Sequence, residues 1–285
     1  MYHVECIDIH KGAPLFMYID RASLCANNMY NAANFCIRNL MTGLKKDIRE
    51  RTENESSVID TVNGSVSGIN DRLREKYDRK VRKIRETAGL SDGERAERIQ
   101  KVKRLQFSDP TAEKWFASYE LLDAVFKFTD NPDYRAFHAH VIQNAIKACC
   151  LAWNGFFESL KKYSPSSCHT GKPKIPGYKK SGGRTTAVFS NLACSIKHGM
   201  LFFPYYREDS DGADGQGKRQ SGSADAAVSV SPACRMRPWT NWSRCAWSLT
   251  SGCTSSRSSR TTALRKKNSF PIEKTSSPLM GRLQA

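Results

Sequence analysis

Residues 131–180 constrain the fold more than any other stretch of this chain. They open with Asn131-Pro132-Asp133, a helix start. Asn caps, Pro fits the first helical position because its missing N–H is not needed there, and Asp complements the dipole. Phe137, Val141, Ala145, Ala148, Ala152 and Phe156 follow at spacings of four and three, which places them on one helix face. Trp153, Phe157 and Leu160 widen that stripe. Lys161, Lys162 and Tyr163 close the helix, and Ser164-Pro165 blocks its continuation. Next comes Gly171-Lys172-Pro173-Lys174-Ile175-Pro176-Gly177-Tyr178-Lys179-Lys180. Two prolines and two glycines exclude a helix there. The four lysines and the tyrosine make a stiff, extended surface suited to phosphates and a stacked base.

The net charge of +17 over 285 residues, with a pI near 9.5, points to a polyanionic partner: nucleic acid first, an anionic membrane surface second. No apolar run is long enough to span a membrane, and Met1-Tyr2-His3-Val4-Glu5 lacks the basic start and apolar core of a secretory leader. The ten cysteines form no framework. Cys25, Cys36, Cys149 and Cys150 sit in apolar helical stretches and read as buried thiols, as in a reducing, cytoplasmic setting. Cys168-His169 has no second ligand pair at zinc-finger spacing, so a zinc site is rejected.

Taken in order, residues 2–20 read as strand, turn, strand, with the turn at Lys11-Gly12-Ala13-Pro14. Ser23 caps a helix from Leu24 to about Leu40, where Asn27, Asn31 and Asn34 share one face. Asn is a poor helix-interior residue, because its amide competes for backbone bonds. Three together mark either ordinary solvent exposure or a polar groove that bonds another helix or a nucleic-acid backbone. Residues 41–68 are polar and read as a loop or insertion. Ile69, Leu73, Tyr77, Val81 and Ile84 mark an amphipathic helix whose other faces are basic, Arg79 and Lys83 included. A capping box, Ser91 with Glu94, starts the next helix, with Ile99, Val102 and Leu105 as its stripe. Joined at Gly89, the two could form a hairpin against phosphates or merely a solvated face. Thr111 is read as the cap of a helix burying Trp115, Tyr119, Leu122 and Phe126. After the basic loop, residues 185–189, 194–196 and 200–204 read as strands, with a tight turn at Lys197-His198-Gly199. His138 and His140, two apart, are expected on different faces and unable to pair.

Residues 131–191 resemble the central part of TnpB, the OrfB-type transposon-encoded proteins related to compact type V CRISPR effectors. The resemblance rests on Trp153-Asn154-Gly155-Phe156-Phe157 with its lysine tail, the Gly-x-Pro-x-x-Pro-x-Tyr-Lys order ending at Lys179, and Phe189-Ser190-Asn191. Ala26-Asn27-Asn28-Met29-Tyr30-Asn31-Ala32-Ala33-Asn34 is similar to that family's first helix, and the likeness extends over residues 1–207. It implies an RNA-guided DNA endonuclease of α+β class: a β wedge-like module at 1–20 and 165–207, interrupted by a mainly α-helical recognition lobe at 21–164. The implied partners are guide RNA and target DNA, with a transposase encoded at the same locus.

The family's RuvC-like nuclease domain needs three carboxylates around magnesium and an inserted zinc ribbon; the residues that would supply them are not found. Asp209, Asp211, Asp214 and Asp225 lie in a Gly/Ser-rich stretch, and from Ala226 onward the only carboxylate side chain is Glu273. Residues 208–285 therefore read as a disordered, out-of-frame tail, or as a natural basic one. The expectation is a chain that keeps RNA and DNA binding, holds no cofactor of its own and has no catalytic residues. Its nucleic-acid contacts would be Lys172, Lys174, Tyr178, Lys179, Lys180 and Arg184, with Asn27, Asn31, Asn34, Arg79 and Lys83. A non-enzymatic basic helical nucleic-acid-binding protein unrelated to transposons is the alternative.

Overall fold

Gly12, at φ +96°, turns the chain, and Pro14 then starts a helix rather than a second strand. In the computed structural model, which describes residues 9–163, 171–190, 192–197 and 200–204 and strands at 227–229, 245–251 and 262–268, this is α1, Pro14–Gly43. The run from Leu15 to Ile19 looked like a strand because all five residues are apolar, and a short apolar run has no period of its own. The helix buries Leu15, Tyr18, Ile19, Ala22 and Ala26 and leaves Met17 80% exposed, so the run belongs to a 3.6-residue pattern. The module boundary expected at residue 20 thus falls inside α1.

The loop expected at 41–68 is also corrected. A 3-10 turn at Ile48–Glu50 leads into α2, Glu53–Glu86. Thr52 accepts a hydrogen bond from the Glu55 N–H, and Glu55 reaches back to the Thr52 N–H, a complete capping box. Ile59, Val62, Val66 and Ile69 are buried at helical spacing behind it. Asn63, Gly64, Ser65 and Gly68 made the stretch look irregular. Gly68 has a packing reason: a Cβ there would lie 2.6 Å from the Phe128 ring.

Gly89, at φ +79°, turns α2 into α3, Asp92–Gln100, capped by Ser91 and Glu94 as expected. Val102 and Leu105 lie beyond the end of α3, so its stripe is shorter than expected. The next cap is Ser118 rather than Thr111; it starts α4, Tyr119–Phe128. Trp115 precedes α4 and packs edge-on against Trp153. The long helix expected from Asn131 is two helices. Asn131 caps α5, Pro132–Arg135, and His138 caps α6, Ala139–Lys162. The buried stripe of α6 is Val141, Ile142, Ala145, Ile146, Cys149, Cys150 and Trp153, while Ala148 is exposed.

The strands after the loop form as expected: β1 Ala187–Ser190, β2 Ser195–Lys197 and β3 Met200–Phe202. β2 and β3 pair antiparallel, Ile196 opposite Leu201; residues 198–199 of their connection lie outside the described residues. Within the expected irregular tail, β4 Ala227–Ser229 pairs with β3, and β5 Cys245–Ser251 lies between β1 and β6 Thr262–Asn268. The remaining expectation for 208–285, and the strand expected before His10, lie largely outside the described residues.

The architecture is mostly helical with short strands. One continuous core joins α1, α2, α4, α6 and β1. Tyr18 centres an aromatic group with Phe137, Phe189 and Phe203, its ring 5.3–6.1 Å from theirs, and donates its hydroxyl to the Pro204 carbonyl at 2.6 Å. A second group, Trp115, Phe116, Trp153, Phe156 and Phe157, closes the other end of α6.

Candidate nucleic-acid interface

The asparagines of α1 hold the basic loop. Asn27 donates to the Lys180 carbonyl at 3.0 Å. Asn31 donates to the Lys179 carbonyl at 3.0 Å and accepts from the Lys179 N–H at 2.8 Å, the pairing a neighbouring strand would supply. Asn34 donates to the carbonyls of Pro176 and Gly177, and its oxygen accepts from the Trp153 indole at 2.9 Å. Asn27 and Asn34 are 1% and 0% exposed. The polar groove is real, but its occupant is this chain's own backbone, which corrects the expectation that these amides bind nucleic acid. Prolines and glycines prevent the loop from making a regular ladder, and the helix supplies the missing partners.

Arg38, not singled out from the sequence, completes the clamp. Its guanidinium donates to the Pro176 carbonyl at 2.6 Å and sits 4.8 Å from the centre of the Tyr178 ring. Its position seven residues after Asn31, on the same helix face, was the available signal. The same device recurs twice. Asn70 of α2 bonds both backbone groups of Phe107, at 2.8 and 2.9 Å, and Asn144 of α6 donates to the Val188 carbonyl of β1 at 3.0 Å.

Anchoring the backbone sorts the basic side chains. Lys172, Lys174 and Lys180 are exposed, and Tyr178 is 51% exposed. Lys179 turns inward: its ammonium lies 4.5 Å from the centre of the Tyr30 ring and donates to the Thr185 hydroxyl, and burial lowers its pKa. Arg184 is engaged in a two-pronged pair with Asp20, at 2.8 and 2.7 Å, and also donates to the Gly182 carbonyl. Both therefore hold the loop to α1 and are not free phosphate contacts, a second correction. Arg79 and Lys83 are exposed on the second half of α2, where eight basic side chains outnumber four acidic ones between residues 71 and 86.

His138 and His140 do meet, against expectation, because His138 is a cap rather than a helix-interior residue. Its Nδ1 accepts from the His140 N–H, the rings lie 5.1 Å apart, and His140 Nδ1 bonds the Ser190 hydroxyl. Burial and the neighbouring ring lower the His138 pKa. Cys36, Cys149 and Cys150 are buried thiols as expected, pushed up to about 12 by desolvation and hence poor nucleophiles. Among the described residues, no group of three or more His, Cys, Asp or Glu side chains is placed to hold a metal ion, so the magnesium and zinc of the resembled family find no fitting donor set there. Nor is any described helix long and apolar enough to cross a membrane. No protein-family model, curated protein or solved structure matches this chain.

Proposed function

We propose that this chain is a TnpB-like protein that binds guide RNA and target DNA through their phosphates, its N-terminal β and helical parts corresponding to the wedge and recognition lobe of that family. One observation carries the reading. Lys180 projects from a segment, residues 176–180, whose backbone is pinned to α1, and exposed Lys172 and Lys174 lead into that anchor, so the charges start from a fixed point rather than a floppy chain. Preorganised cations recover more of the electrostatic attraction, because less side-chain and loop freedom is lost on binding. Arg79 and Lys83 add exposed cations on the second half of α2.

The test is the salt dependence of RNA binding. Replacing Lys172, Lys174 and Lys180 together with alanine should lower the slope of log K against log salt by about 2, given roughly 0.7 per phosphate contact on single strands. An unchanged slope would remove the loop from the interface. A second reading, a basic helical nucleic-acid-binding protein unrelated to transposons, gains from one observation: residues 14–20 are helical where the resemblance implies wedge strand. The encoding DNA separates the two. A strand-forming stretch with Asp followed by Gly in another frame, downstream of codon 208, supports the first reading, and its absence supports the second.

A further inference from the structure

A cavity of about 520 Å³ lies between α1, α2, α4 and the start of α5, beside the clamped loop. That is within the roughly 300–1,000 Å³ typical of small-ligand sites. Ala32, Cys36, Val62, Val125 and Phe126 make part of it apolar. Phe35 and Tyr178, 39% and 51% exposed, add two aromatic rings. Two of the uncommitted polar side chains in its lining carry an amide and a carboxylate. Asn28 and Asp133 make no hydrogen bond or ion pair within the described residues, whereas Asn27, Asn31 and Asn34 on the same helix are all engaged. Asp133 is half-buried, and desolvation raises its pKa. A partly desolvated carboxylate without donors is costly, and a ligand that brings paired N–H groups removes that cost.

We propose that the cavity receives one unpaired guanine base of a bound single strand, packed against Phe35 and Tyr178, with Asp133 accepting from N1–H and the N2 amine and Asn28 meeting the base edge. Unstacked bases are recognised by this combination of aromatic surface and hydrogen bonds to the Watson–Crick edge. Guanine alone among the four bases offers two adjacent donors there, matching the two oxygens of a carboxylate. Adenine, cytosine and uracil each set an acceptor beside their donor, which the carboxylate repels. Ser181 of the lining follows Lys180 directly, so the phosphates flanking a seated base fall beside an exposed lysine.

This inference rests on the nucleic-acid reading above, and the experiment separates the two. Uridine decamers carrying one central guanosine, inosine or adenosine are titrated against the full chain by fluorescence anisotropy, each over a range of salt. Guanosine should bind about tenfold more tightly than adenosine, the discrimination of one bidentate base contact, with inosine between them. Asp133→Asn should abolish the preference and leave the salt slope unchanged. The triple lysine variant should do the reverse. Asn28→Ala, a change at a half-buried helix position, should weaken the preference and serves as the second variant if Asp133→Asn unfolds. Equal binding of the three decamers by the wild type, or a preference kept by both variants, overturns the cavity site and leaves the phosphate reading standing. If no decamer binds, the phosphate reading fails, and free guanosine decides the cavity. A melting temperature raised by guanosine and not by adenosine supports the site, and no difference overturns it.

Discussion

The loop at 176–180 and the second half of α2 are both rich in lysine and arginine, yet they are held by opposite means. The loop has no regular structure of its own. It is ordered by side chains more than 130 residues away in sequence, Asn31 to Lys179 spanning 148 positions. The second half of α2 is ordered locally, by its own helical bonds and pairs such as Arg74 with Asp71 at 2.9 Å. Beyond Ile69 its one buried side chain is Val81. The contrast teaches that a basic stretch can be a stiff, tertiary-anchored template or a locally formed solvated arm, and that cation density does not distinguish them. Each region should therefore fail in its own way.

The loop should fail first and hardest at Asn34. Asn34→Leu, at a site that is 0% exposed, strands the Trp153 indole N–H and the Gly177 carbonyl and leaves the Pro176 carbonyl to Arg38 alone. A loss of roughly 3 kcal/mol is expected, the cost of unpaired buried groups in one network. Urea denaturation measures it, and trypsin cutting after Lys174, Lys179 and Lys180 should accelerate. A variant that keeps full stability would show that the clamp is incidental to the fold.

Where α1 hands over to α2, Gly43 permits close contact. A Cβ there would lie 2.8 Å from the Glu55 Cβ and 2.9 Å from Ile59 Cδ1. Gly43→Ala should cost about 1–3 kcal/mol by overpacking, more than the roughly 1 kcal/mol that alanine returns in helix propensity. A rise in melting temperature would contradict this.

The same junction gives the α2 side its acid sensitivity. Hydrogen bonds from the Thr42 hydroxyl, Lys46 and the Thr52 N–H hold Glu55 down to about 2 from an ordinary value of 4.5. A depressed carboxyl stabilises the fold above its unfolded pKa. Its contribution is therefore complete above about pH 4.5 and is lost as pH falls toward 2. Glu55→Gln should flatten stability against pH over that interval. An unaltered profile would show that the acid sensitivity arises elsewhere.

The smallest effect on stability belongs to the solvated arm. Arg79→Ala with Lys83→Ala should change unfolding free energy by less than about 0.5 kcal/mol each, as surface substitutions do. The pair should nevertheless lower the salt slope of RNA binding by about 1.4, two contacts at roughly 0.7 each. A large stability loss there would erase the distinction between the two regions.

Local signals in the sequence determined much of this molecule. The capping box at Ser91, the cap at Asn131, the end of α6 at Lys162 and the strands of residues 187–202 follow from rules that act within a few residues. So do the buried cysteines of apolar helices. The misreadings have local causes too. Leu15–Ile19 is apolar on every side, and Asn63, Gly64 and Gly68 obscured a helix whose Thr52/Glu55 box stood in plain view. Only the tertiary structure decided what the asparagines are for. An amide on a helix bonds whatever backbone is brought to it, and no spacing within α1 reveals that the partner lies near residue 178. The same holds for the lysines: burial against Tyr30 withdraws Lys179 while Lys180, its neighbour in sequence, stays in water. Charge is a property of the residue, but availability belongs to the packing around it.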